Sequence, residues 1–120
     1  MKGLVDIKKC LRSFRFAFQG LRWVVASENN ARIHLLASMV VVTMGFLLRL
    51  KDSEWLWIIS AIAAVWITET LNTAIEKLTD LVSPDFNPKA GVVKDIAAAA
   101  VLIAALYALI VGTIIFIPKI

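Results

Sequence analysis

Charge is scarce in this 120-residue chain: 18% of residues are Asp, Glu, Lys or Arg, while 60% are apolar. Those charges are clustered and leave long apolar stretches between them, and the mean hydropathy is +0.81. One domain embedded in a membrane fits this balance, and a soluble globular domain does not. There is one cysteine, Cys10, which excludes an intrachain disulfide and a thiolate metal cluster. The one histidine, His34, falls on a different predicted element, so a Cys–His nucleophile pair is not expected. Cys10 is therefore expected to be a packed free thiol. The five glycines are isolated, which leaves neither a phosphate loop nor a kinase-type glycine loop. A signal peptide is not expected either, because Arg12, Arg15 and Gln19 interrupt what would have to be its apolar core.

The chain carries a net charge of +4. Its basic residues flank apolar segments and so read as topology signals; nucleic acid is not an expected partner. Residues 2–26 predict an amphipathic helix, with Leu4, Ile7, Leu11, Phe14, Phe18, Leu21 and Val25 on one stripe. Lys2, Lys8, Lys9, Arg12, Arg15 and Arg22 occupy the rest of its surface, as suits a helix lying among anionic headgroups. A first span is expected over 31–48, with Arg32 and Arg49 snorkelling at its ends. His34, at its start, reads as a hydrogen-bonded interfacial residue. A second span is expected over 55–79, anchored by Trp55 and Trp57. Residues 81–95, broken by Pro84, Pro88 and Gly91, are expected to form a loop. A third span, 96–117, carries no charge, and Ala100, Ala104, Ala108 and Gly112 form a small-residue seam along it. The excess of Lys and Arg on one side places the amino terminus and the 81–95 loop in the cytoplasm.

The second span ends in Glu69, Asn72, Glu76 and Asp80, spaced by three, four and four, which stacks them on one helical face. Counted from Trp55, Glu69 lies ~21 Å along the axis, inside a hydrocarbon core about 30 Å thick. An acid there costs on the order of 2.5–3.5 kcal/mol even on the lenient insertion scale, which makes it a functional candidate. Glu28, Glu76, Asp80, Lys94 and Asp95 converge on the same membrane boundary.

Carboxylates at such a boundary are hard oxygen ligands suited to Mg²⁺ held with substrate phosphates. Lys94 would offset phosphate charge, and a sequestered Glu69 suits proton transfer to or from a lipid hydroxyl. On the residues alone, the reading stops at an acidic site in a membrane protein. A small proton- or cation-coupled transporter and a non-enzymatic assembly subunit, with the Ala100–Gly112 seam as its main feature, remain as alternatives, and a polar pair that locks helices together is the structural reading of Glu69.

The block Glu69-x-x-Asn72-Thr73-Ala74-Ile75-Glu76-x-x-x-Asp80, followed by Lys94-Asp95-x-Ala97-Ala98-Ala99-Ala100-Val101, resembles the prokaryotic integral-membrane diacylglycerol kinase family, which includes undecaprenol kinases. Ser13-Phe14…Gly20, Glu28-x-Asn30-x-x-x-His34, Glu54-Trp55 and the closing Ile114-Ile115-Phe116-Ile117-Pro118-Lys119 extend the resemblance over nearly the whole chain. It implies an all-α membrane protein, a surface helix plus three transmembrane helices, assembled as a homotrimer with sites shared between protomers. Three thin helices with little interior to hide Glu69 agree with that assembly. The implied activity is transfer of phosphate from ATP, with Mg²⁺, to the primary hydroxyl of diacylglycerol or undecaprenol in a bacterial cytoplasmic membrane. By the same resemblance, Glu69 is the general base and contacts the lipid substrate together with Ala98. Glu28 and Glu76 ligate Mg²⁺. Arg12, Phe16, Glu28, Glu76, Asp85, Asn87, Lys94 and Asp95 bind ATP, and Asn72 and Asp80 support the acidic face. Asn87 stands where many members carry histidine, and the alanine run 97–100 lacks the Ser or Gly often found there.

Overall fold

The computed structural model describes residues 3–120. Among these there are four long helices and no strand: α1 (Ile7–Ser27), α2 (Asn29–Leu47), α3 (Asp52–Val82) and α4 (Pro88–Phe116), with a closing 3₁₀ turn, Ile117–Lys119. The last three are long and apolar enough to cross a membrane. The molecule is a flat plate of 49 × 49 × 23 Å.

The surface helix starts later than the apolar stripe suggests. Asp6 caps it by accepting a hydrogen bond from the Lys9 backbone N–H at 3.1 Å, and Gly3–Asp6 are not helical. Residue 2, where the expected helix begins, lies outside the described residues. Val24 is the buried residue of α1. Cys10 is exposed and not packed, because nothing among the described residues covers the helix ahead of its last turns. Only Glu28 separates α1 from α2. Arg32 does not simply extend to the interface: its guanidinium donates to the carbonyls of Val25 and Ala26 at 3.1 and 2.9 Å. These are end carbonyls of α1 that lack helical partners, so the arginine acts as a C-terminal cap.

The far end of α2 closes in a Schellman turn. Leu50 N–H donates to Gly45 O and Arg49 N–H to Phe46 O, with Arg49 in the left-handed region at φ 53°. The chain then enters α3, whose start is fixed by the Glu54 carboxylate accepting from the Lys51 N–H at 2.9 Å. Lys119 reaches back to Glu54 at 3.2 Å, tying the chain's last turn to the same place.

Packing along α3 follows Ile58, Ala61, Val65, Glu69 and Asn72, a single buried stripe that is apolar over its first half and polar over its second. The facing stripe on α4 is Ala97, Ala104, Val111 and Ile115. Leu50, Ile58, Ala61, Val111, Ile115 and Phe116 form the core at the Arg49 end. The expected seam at every fourth residue of α4 holds only in part. Ala104 is buried and Ala108 packs on the core, but Ala100 is exposed. Four residues advance a helix about 40° past a full turn, so a strict four-residue repeat drifts off the contact face.

The expected 81–95 loop shrinks to Ser83–Asn87. Asn87 caps α4, its side chain accepting from Lys89 N–H at 3.0 Å, and Pro88 occupies the first helical turn, where a missing N–H costs nothing. Pro88 starts a helix, and Gly91 is accommodated within it.

Candidate functional site

The polar half of the α3 stripe carries the site. Glu69 is 2% exposed, and that burial is achieved within one chain, so the little interior expected of three thin helices is enough to hide it. Its Oε2 lies 3.5 Å from Nε2 of His34 on α2, and that oxygen has no hydrogen-bond partner among the described residues. His34, near the start of α2, faces the buried acid. One turn further along α3, Asn72 donates through Nδ2 to Glu76 Oε1 at 3.4 Å. Its own Oδ1 is buried and also unpartnered. A desolvated carboxylate oxygen and a desolvated amide oxygen left without donors cost about 1–3 kcal/mol each or more. Two on one helix face mark a place where a ligand's donors belong.

The threonines around them do not supply those donors. Thr68, Thr70 and Thr73 each turn back onto α3 carbonyls at 2.9–3.0 Å, as hydroxyls in apolar helices do. Across the helices, Trp66 Nε1 donates to Ser38 Oγ at 3.1 Å, and Ser38 donates to the His34 carbonyl at 2.7 Å. This chain of bonds fixes the register of α2 against α3 beside Glu69.

Glu28, at the α1–α2 junction, and Glu76 lie within electrostatic reach of Glu69. Both are partly exposed. Carboxylates are the oxygen donors that an Mg²⁺ ion arriving with phosphates and water would take, and among the described residues no group of three or more acidic, His or Cys side chains forms a metal cage. Further out, Lys94 on α4 forms an ion pair with Asp80 on α3. The hydrogen bond from Lys94 holds the Asp80 carboxyl below the ordinary aspartate range, and the same bond raises the Lys94 ammonium. Lys77 sits 5.1 Å over the Trp23 ring, a cation–π contact joining α3 to the last turns of α1.

The structure therefore gathers Glu28, His34, Glu69, Asn72, Glu76, Asp80 and Lys94 at one end of the molecule. Arg12, Phe16, Asp85, Asp95 and Ala98 are exposed and do not join that cluster through any described side-chain bond. Asn87 is occupied in capping α4. His34 is the residue whose place the sequence did not give. Its one usable signal was that the sole histidine falls within a few residues of Glu28 at the same membrane boundary.

Residues 15–116 match the family model described as prokaryotic diacylglycerol kinase. The chain is 36% identical over 114 residues to an undecaprenol kinase of Bacillus subtilis, covering 95% of this chain and 93% of that protein. It is 38% identical over 109 residues to a diacylglycerol kinase of a Synechocystis species, covering 90% of this chain and 62% of the relative. A diacylglycerol kinase of Escherichia coli is 29% identical over 102 residues, which is 85% of this chain and 84% of that one. An intramembrane acid with carboxylates and a lysine at the membrane boundary is what a membrane-embedded phosphotransferase needs, and the chain belongs to the prokaryotic diacylglycerol kinase family of lipid kinases.

Proposed function

We propose that this lipid kinase uses ATP to phosphorylate the primary hydroxyl of undecaprenol, with Glu69 as the general base. The observation that carries the reading is the buried, unpartnered Oε2 of Glu69 on the same helix face as Glu76. An alcohol hydroxyl arriving from the bilayer satisfies that oxygen by donating its proton. As the proton moves to Glu69, the alcohol oxygen attacks the γ-phosphorus, the bond to the ADP oxygen breaks, and lipid phosphate and ADP result. Burial keeps water, the competing acceptor, away from the transferring phosphoryl group.

Glu28 and Glu76 are the residues that would hold Mg²⁺, with Asn72 orienting Glu76 through its amide. Held there, the ion would supply positive charge to offset that of the phosphates. Lys94, Asp95, Arg12, Phe16, Asp85 and Asn87 form the nucleotide side in this reading, and Ala98 the lipid side. The excess of basic residues at the site's end puts that end, and the amino terminus, in the cytoplasm of a bacterial cell, where ATP is available. A homotrimer with shared sites supplies the contacts that Arg12 and Phe16 do not make within one chain.

Undecaprenol is preferred to diacylglycerol because the relative of that name aligns over nearly its whole length; diacylglycerol is the second substrate reading, through the other relatives. Purified protein given γ-labelled ATP, Mg²⁺ and each alcohol in turn is expected to label undecaprenol fastest. Glu69→Gln is expected to lose about 10²–10⁴-fold in kcat while remaining folded. A folded Glu69→Gln protein with normal turnover would overturn the assignment of the base.

A further inference from the structure

We infer that His34 is a positioning residue that takes the proton onward from Glu69 and returns the base to its ionised form. This deepens the general-base reading above and rests on it. A base that collects a proton in every cycle must shed it before the next alcohol can react. Glu69 cannot shed it to water directly, because its side chain is 3% exposed. Among the described residues, three titratable groups lie within its electrostatic reach: Glu28 at the α1–α2 junction, Glu76 further along α3, and His34 on α2. The two carboxylates are the pair suited to Mg²⁺, and a cation beside them disfavours their taking up a proton. From α4, the buried residues at this end are Ala97 and Ala104, which offer no acceptor.

His34 remains, and its placement suits the task. Nε2 stands 3.5 Å from Glu69 Oε2, near enough for a hydrogen bond after a small side-chain rotation. The imidazole is 19% exposed, so it spans the distance between the enclosed acid and the aqueous boundary. Its backbone is held by the Ser38 and Trp66 bonds, and Trp66 lies one turn before Glu69 on α3. The donor and the acceptor are thus referenced to the same pair of helices. In the transfer, the Glu69 O–H bond breaks and an N–H bond forms at Nε2. The imidazolium then loses its Nδ1 proton to water, and exchange of the remaining proton from Nε2 to Nδ1 through water frees Nε2 for the next cycle, so one proton leaves per phosphate transferred.

The test uses the purified full chain in detergent with lipid alcohol, ATP and Mg²⁺, comparing His34→Gln and His34→Ala with the parent and with Glu69→Gln. Glutamine keeps a hydrogen-bonding side chain but cannot carry a proton. Both His34 variants are expected to lose about 10–100-fold in steady-state kcat with KM for ATP and lipid essentially unchanged. The first turnover, measured by rapid quench, should be less affected than those that follow. Added imidazole should restore His34→Ala in proportion to its concentration. Parent-like kcat in His34→Gln overturns the inference, as does an equal loss in the first and later turnovers without imidazole rescue. If His34→Ala fails to fold, His34→Gln decides alone. Glu69→Gln separates the two levels: an inactive Glu69→Gln beside a normal His34→Gln removes the relay and leaves the base in place, whereas an active Glu69→Gln removes the base itself.

Discussion

Asp80 and Lys94 show what a single ion pair contributes where the helices leave the membrane. Asp80 has its carboxyl lowered from an ordinary value of 3.8, first by the Lys94 hydrogen bond. Its contribution to stability is therefore present above that value and is lost as pH falls below it. Lys94 is raised from 10.5 by the same bond, so its contribution is present below that value and is lost only as pH rises past it. Between these limits the pair is intact. Asp80→Asn should lower the thermal midpoint by a constant increment across about pH 5 to 9, and parent and variant should converge below the ordinary aspartate range. The increment is expected to be small, since both side chains are well exposed and screened. A melt series over pH checks this. Glu69, Asn72, Glu76 and Asp80 could be read in sequence because their spacing is local to one helix. The His34–Glu69 contact could not, because it depends on how α2 docks against α3. Cys10 misled for a similar reason, since a small thiol gives no hint of whether its helix is covered.

At the scale of the helices, two joints can be tested. A Cβ at Gly45 would lie 2.5 Å from Trp55 Cη2 and 2.9 Å from Cζ2, and the indole is itself packed against Phe46 at 4.9 Å between centroids. A rigid ring wedged between neighbours cannot yield a few tenths of an ångström cheaply. Gly45→Ala is expected to destabilise the fold by about 1–3 kcal/mol through overpacking, read as a lower midpoint in detergent melts. Its effect on activity should follow that loss of stability. At the other joint, Asn87→Ala removes the α4 cap and should cost about 0.5–2 kcal/mol, while Asn87→Asp should retain most of it. The start of α4 was hidden in sequence because Pro and Gly usually break helices. Whether a proline stops a helix or opens one depends on the residue before it, and here that residue is a capping asparagine. The three spans themselves were plain, since each is a long apolar run and the bilayer tolerates no other spanning backbone for such runs.

The whole molecule is unevenly built. Its Arg49 end is closed by the core around Ile58 and by Lys119 on Glu54, while its other end gathers charge around two unsatisfied oxygens. Inside a bilayer, apolar side chains gain little by leaving lipid, so helix contact relies on close packing and polar ties such as Ser60 to Tyr107 at 2.9 Å. Glu69 is already buried in one chain, so a trimer is not required in order to hide it. What one chain leaves open is the side proposed for the nucleotide, where Arg12 and Phe16 on α1 are exposed. If three copies share sites, a neighbour brings these residues to the acid that each chain buries. An Arg12→Ala/Phe16→Ala chain and a Glu69→Gln chain, each inactive alone, should then regain lipid phosphorylation when co-expressed and purified through a tag on each. The regained activity should appear in the species whose native mass corresponds to three chains. Mixed assemblies as inactive as the separate chains would mean that each protomer completes its own site.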